Sequence, residues 1–133
     1  MKFRYARYGK TLRPVIPITL KSNNQKINYE VLVDSGADLC IFDAEIGRAI
    51  GIEVEKGERK EVFGIGGKAS IYFLCPVQIE VGGWLYDIKA GFMTQVAGHM
   101  FQYGVVGQLG FFENFIVKFD LIKEEVELKR RDN

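Results

Sequence analysis

The chain has 133 residues and a formal net charge of +1, with 47% hydrophobic and 26% charged residues. This is the balance of one globular domain, predicted over residues 1–133, and it excludes a disordered chain. Nucleic-acid binding needs concentrated positive charge, whereas the Lys and Arg residues here are spread along the chain. We therefore expect no nucleic-acid partner.

Cations and aromatic residues alternate in the first part of the chain, between Lys2 and Arg13. Such a pattern fits either a half-buried strand or an arm that stacks on bases. Period-2 alternation is what a strand with one buried face requires. The pattern favours an edge strand.

Apolar runs then predict two strands and a helix. One strand covers Val15 to Leu20, and a returning strand covers Ile27 to Val33 and ends at Asp34. Asp43 is a suitable N-cap for a helix from Ala44 to Ile50, because its carboxylate can accept backbone N–H groups.

The rest of the chain reads as short strands separated by turn residues, with one further helical turn near Gln108 to Glu113. Together these features predict an all-β fold with one or two short helices. The predicted strands are Glu58 to Phe63, Lys68 to Glu80, Trp84 to Met93, Val105 to Gly107, Phe115 to Asp120 and Val126 to Lys129.

Cys40 and Cys75 lie in apolar surroundings and are not spaced as a metal-binding pair. With His99 as the single histidine, no set of four zinc ligands is visible, so we expect no metal and no cofactor. Both cysteines are interpreted as buried free thiols, which are typical of a reducing compartment. No signal peptide or membrane-length apolar run is visible, and the expected location is cytoplasmic, without a membrane partner.

The segment with the clearest chemistry begins at Val31 and runs through three apolar residues into Asp34, Ser35 and Gly36. A buried strand there delivers a carboxylate to a tight turn that glycine permits. Ser35 is expected to brace this turn by hydrogen bonds to the neighbouring backbone.

This segment, read as Asp34-Ser35-Gly36-Ala37, resembles the Asp-Thr/Ser-Gly-Ala signature of retropepsin-like aspartic proteases. Gly64-Ile65-Gly66-Gly67 lies where that family has its flap, and Val105-Val106-Gly107 resembles its late hydrophobic–hydrophobic–glycine element. Each element alone is weak, but the ordered set is specific. The resemblance implies a closed β-barrel of the acid-protease type.

The resemblance also implies an aspartic endopeptidase that hydrolyses peptide bonds with water activated by two aspartates. This chain has one Asp-Ser-Gly, so the second aspartate would come from a homodimer partner. The implied catalytic residues are Asp34, Ser35 and Gly36, and the implied substrate-binding residues are Ala37, Asp38, Gly64, Ile65, Gly66, Gly67 and Val106.

Two other interpretations remain open. One is a catalytically inactive retropepsin-fold module for dimerisation or peptide binding, and the other is an unrelated β-barrel that binds small ligands. The intact Asp34 and Ser35 favour the enzyme.

The sequence departs from the retroviral pattern after Gly107. Retroviral members have an Arg there, which pairs with the acid corresponding to Asp38, whereas this chain has Gln108. Arg4, Arg7 and Arg13 are candidates to replace that Arg, and the sequence does not choose among them.

Overall fold

A computed structural model describes residues 1–63, 69–94 and 102–131 of the chain. In this part it has twelve strands and one short α-helix, α1 (Ala44–Ala49), which confirms the all-β prediction. The strands are β1 (Lys2–Arg4), β2 (Ala6–Tyr8), β3 (Thr11–Arg13), β4 (Val15–Ser22), β5 (Gln25–Val33), β6 (Ile41–Asp43), β7 (Glu58–Phe63), β8 (Ala69–Val81), β9 (Trp84–Met93), β10 (Gly104–Val106), β11 (Phe115–Asp120) and β12 (Glu125–Arg130).

Seven strands form the main sheet, in the order β4-β5-β10-β6-β9-β8-β7, and β4 also pairs with β8, so the sheet returns on itself. The β4–β5 hairpin turns through Asn23 and Asn24, whose φ angles of 49° and 64° lie in the left-handed region that asparagine tolerates. This turn fixes the register that places Val15 opposite Leu32.

Two parallel pairings run through the middle of this sheet, β10 with β5 and β6 with β9. Because parallel strands end on the same side, the register of Val106 with Val33 places Gly107 beside Asp34. Residues 73 positions apart therefore meet at one end of the sheet, as the Gln108–Ser35 contact described below shows.

The core is filled by aliphatic and aromatic side chains from both halves of the chain. Phe42 and Phe92 are fully buried and meet edge to face, with ring centroids 5.8 Å apart. Cys40 and Cys75 are both buried and free, as predicted. Burial of such groups drives folding by about 1.5–3 kcal/mol for each large side chain.

Helix α1 begins as predicted, with Asp43 as its N-cap: the side chain accepts the N–H of Glu45 at 2.9 Å. Asp43 is 1% exposed, and its second carboxylate oxygen has no hydrogen-bond partner among the described residues. The helix ends one residue earlier than predicted, at Ala49, and the chain leaves it through Gly51, whose φ is 83°.

The first thirteen residues form three short strands rather than one edge strand. Strand β1 pairs with β12 in a separate sheet of order β1-β12-β11, and β2 pairs with β3 in a hairpin. The strand character of this segment was predicted correctly. Its division into three was not, because the partner of β1 lies at the other end of the chain. Among the described residues, no helix is long and apolar enough to span a membrane.

Candidate active site

Asp34 lies at the end of β5 and is half-buried. Its N–H donates to the Val106 carbonyl at 3.0 Å, and its Oδ1 accepts the N–H of Gly36 at 2.9 Å. The N–H of Ala37 closes the turn by donating to the Asp34 carbonyl at 3.2 Å. The aspartate is thereby fixed by backbone groups on both sides of its own turn.

Ser35 occupies the exposed side of this turn. Its side chain was predicted to brace the turn, but the Ser35 hydroxyl makes no hydrogen bond to any described residue. The turn is instead held by the Asp34 side chain. Ser35 contributes its backbone carbonyl, which accepts the Nε2–H of Gln108 at 2.6 Å.

The segment after β10 is fastened to the Asp34 turn by its own backbone. The N–H of Gln108 donates to the Ala37 carbonyl at 2.8 Å, and the N–H of Leu109 donates to the Asp38 carbonyl at 3.0 Å. A Cβ atom on Gly107 would lie 2.5 Å from the carbonyl oxygens of Ala37 and Leu39. Only glycine permits so close an approach of two backbone segments.

Within the described residues, no arginine replaces the retroviral Arg that would pair with Asp38. Arg7 lies 3.8 Å from Glu124, and the Arg13 guanidinium donates to the Tyr103 hydroxyl at 2.5 Å. No ion pair joins an arginine to Asp38 in this part of the structure. The neutral Gln108 side chain, bonded to the Ser35 carbonyl, takes the place next to the turn.

If this site cleaves peptides, as the sequence resemblance implies, replacing Gln108 by Met should lower the turnover roughly 5-fold, with little change in KM. Methionine keeps the length of the side chain but donates no hydrogen bond, and one such bond is worth about 1 kcal/mol. Steady-state kinetics would measure this, with the exposed Gln102→Met variant as the matched control. Equal kinetics in the two variants would show that the Ser35 contact does not orient the turn.

A small pocket of about 180 Å³ opens beside the turn. Most of its lining is apolar, and its members come from the turn, β6, β7 and β8: Ala37, Asp38, Leu39, Ile41, Val62 and Tyr72. Strands β7 and β8 pair as a hairpin up to Phe63 and Ala69. The predicted flap residues Gly64, Ile65, Gly66 and Gly67 lie outside the described residues, as does His99.

The buried thiol of Cys40 lies next to this site, where it donates to the Leu109 carbonyl at 3.4 Å. Burial raises the pKa of the Cys40 thiol to about 11. It also raises the pKa of Cys75. A thiol in this state stays protonated at neutral pH, so Cys40 is not a nucleophile for covalent catalysis.

A family model described as aspartyl protease matches residues 16–109, which contain the Asp34 turn and Gly107. The chain belongs to the aspartyl protease family. A search of the curated proteins finds no match. The retropepsin-like character expected from the Asp34, Gly64 and Val105 motifs is thus confirmed at the level of the family.

Solved structures show a likeness that extends over most of the fold of this family member. The retroviral protease-like domain of Ddi1 from Leishmania major is similar at a TM-score of 0.59 and 17% identity, with 90% of each chain covered. A retropepsin-like aspartic protease from Rickettsia conorii is similar at a TM-score of 0.59 and 15% identity, over 96% of this chain and 90% of that one. At these identities the likeness shows that the fold is retropepsin-like.

Proposed function

We propose that this aspartyl protease family member is an active aspartic endopeptidase that works as a homodimer, with Asp34 from each copy forming the catalytic pair. The observation that carries the proposal is the Asp34 turn itself. Its carboxylate is held by the N–H of Gly36 at 2.9 Å, while the aspartate is only half-buried at the surface of one copy. Hydrogen bonds hold the turn in place, and its carboxylate remains accessible.

One carboxylate is not enough for the chemistry of this family. Two carboxylates about 3 Å apart share one proton, because both cannot ionise cheaply. The ionised Asp34 would take a proton from water while the protonated one donates to the scissile carbonyl. The water attacks the carbonyl carbon, and the amine leaves with a proton, so no covalent acyl-enzyme forms.

The proposed substrate is an extended peptide. Backbone groups of Gly36 and Asp38 would bind it on one side, and the flap residues Gly64 to Gly67 would bind it on the other, with Ile65 at the tip. The pocket lined by Ala37 and Tyr72 suits an apolar side chain next to the cut. Val106 would support the turn from β10. Because buried free thiols are typical of a reducing compartment, the proposal includes a cytoplasmic location.

The alternative is an inactive module of the same fold that dimerises or binds peptides. A direct test incubates the protein with a mixed peptide library and follows the products by mass spectrometry. Inhibition is then tested with a peptide that has a secondary alcohol in place of the scissile amide. If cleavage products form and the mimic prevents their formation, the result supports the proposed protease activity. Peptide binding without any product would support the inactive module.

The side chain of Ala37, which has no hydroxyl group, leads to a prediction for the pH dependence of cleavage. Pepsin-type enzymes often have a hydroxyl residue at this place, which stabilises the ionised pair, and a methyl group cannot do so. We expect the rate to peak nearer neutral pH than in acid-active enzymes, and Ala37→Thr should move the acid limb of the profile to lower pH. A wild-type optimum far below pH 4 would contradict this.

A further inference from the structure

We propose that a second apolar pocket, walled by the segment after β10, binds an apolar side chain of the substrate two residues further from the cut. The pocket lined by Ala37 and Tyr72 is here called the inner pocket, and the second one the outer pocket. This inference rests on the proposed function. It adds a substrate class, namely extended peptides with apolar side chains at two positions separated by one residue.

The two pockets meet at Leu39, which lines both of them. The outer pocket has a volume of about 340 Å³, nearly twice the 180 Å³ of the inner one. Its other lining side chains are charged and exposed, so they stand at its rim, and every lining residue is among those that the structure describes. The apolar part of the lining comes from Leu39, Leu74, Ile88, Leu109 and Gly110.

Leu109 fastens the outer pocket to the Asp34 turn. Its N–H donates to the Asp38 carbonyl at 3.0 Å, and its carbonyl accepts the Cys40 thiol at 3.4 Å. The side chain takes no part in these contacts and is 55% exposed. An apolar group bound beside it would remove part of this surface from water, which favours binding. The backbone of Leu109 therefore holds the turn, while its side chain is left for a ligand.

The floor of the outer pocket is already formed in the free chain. The N–H of Gly110 donates to Glu113 Oε1 at 2.7 Å, and its carbonyl accepts the Nδ2–H of Asn114 at 3.1 Å. A Cβ atom on Gly110 would lie 3.2 Å from Cys40 Sγ and 3.3 Å from Ile88 Cδ1, so the backbone lies close against the core. A pocket formed before binding lowers the cost of ordering it.

The spacing of side chains in an extended peptide matches two neighbouring pockets. Side chains alternate between the two faces of a strand, so every second one lies on the same face, about 6.5 Å further along. Because one side chain, Leu39, lines both pockets, they are neighbours on this scale. The inner pocket includes Ala37 and Asp38 of the turn, whereas the outer one begins at Leu39, further along the chain from Asp34. The outer pocket thus receives the more distant side chain.

A scan of uncleavable peptides tests this arrangement on the wild-type protein. Each peptide has a secondary alcohol in place of the scissile amide and carries either Leu or Ser at one position, and its Kd is measured by fluorescence anisotropy. Burying a leucine side chain should make the Leu peptide bind roughly 10-fold more tightly than the Ser peptide. We expect this preference at two positions on the same side of the cut, separated by one residue. A scan without such a pair of positions would overturn the inference.

Variants assign each preference to its pocket. Leu109→Ser should remove the preference at the outer position alone, and Val62→Ser, which changes the inner pocket, should remove it at the inner position alone. Leu109→Met keeps an apolar wall and should restore the outer preference. Leu121→Ser is the matched control, because Leu121 is 59% exposed and lines neither pocket. An outer preference that survives Leu109→Ser, or that Leu121→Ser also removes, would overturn the inference.

The two proposals fail differently. If the mimics bind with both preferences but no peptide is cleaved, the outer pocket stands and the proposed function falls. If cleavage depends on Asp34 while Leu109→Ser changes no preference, the proposed function stands and the outer pocket falls. If no mimic binds, the outer pocket is overturned whether or not peptides are cleaved.

Discussion

Asp34→Asn should abolish the proposed peptide cleavage while the protein stays folded and keeps the proposed dimer. Asparagine cannot take a proton from water, and removing a residue of this kind typically costs on the order of 10³-fold or more in rate. Its side-chain oxygen can still accept the N–H of Gly36, which in the wild type lies 2.9 Å from Asp34 Oδ1. The turn should therefore persist, and the loss should fall on turnover rather than on stability.

The measurement is initial rate on a peptide that the wild type cleaves, together with sedimentation and thermal unfolding of both proteins. Asp87→Asn is the matched control, because Asp87 is an exposed acid on β9, outside the Asp34 turn. We expect the control to keep wild-type activity. Residual cleavage by Asp34→Asn at more than a few per cent of the wild-type rate would place the catalysis elsewhere.

Gly107→Ala is expected to have the next largest effect. Its new methyl group would lie 2.5 Å from the carbonyl oxygens of Ala37 and Leu39, both of them backbone atoms that cannot rotate away. The segment after β10 must then separate from the Asp34 turn. We expect a loss of about 1–3 kcal/mol in the free energy of unfolding, as in other overpacked sites, together with loss of activity in the folded fraction.

Urea denaturation and active-site titration separate the two effects. Gly83→Ala is the comparison, since Gly83 has a φ of 89° in the β8–β9 turn but no atom within 4 Å of an added Cβ. It should lower stability through backbone strain and leave the activity of the folded protein unchanged. If Gly107→Ala behaves in the same way, the close approach is not needed for catalysis.

Local signals made most of the strands predictable. Asn23-Asn24 and Gly82-Gly83 are residue pairs that accept left-handed backbone, and both form the tight turns of the hairpins that flank them. The Asp43 cap was equally local, because its partner Glu45 lies two residues on. In each case the residues that fix the structure are neighbours in the sequence.

Contacts between distant residues were harder to predict. Gln108 was noted as a departure from the retroviral pattern, but its hydrogen bond to Ser35 joins residues 73 positions apart and depends on the β5–β10 register. The separation of the first thirteen residues into three strands depends on β12 in the same way. The motif of Asp34 and the late glycine predicts the candidate site, whereas the contacts that hold its turn are visible only in the fold.

Subunit mixing tests the central claim most directly, namely that one active site contains two copies of Asp34. Wild-type protein is mixed with Asp34→Asn protein at constant total concentration, allowed to exchange subunits, and assayed. If both aspartates are needed, activity falls as the square of the wild-type fraction, so an equal mixture retains about a quarter of the activity. A linear fall, with half of the activity in the equal mixture, would show that each chain works alone and would contradict the account.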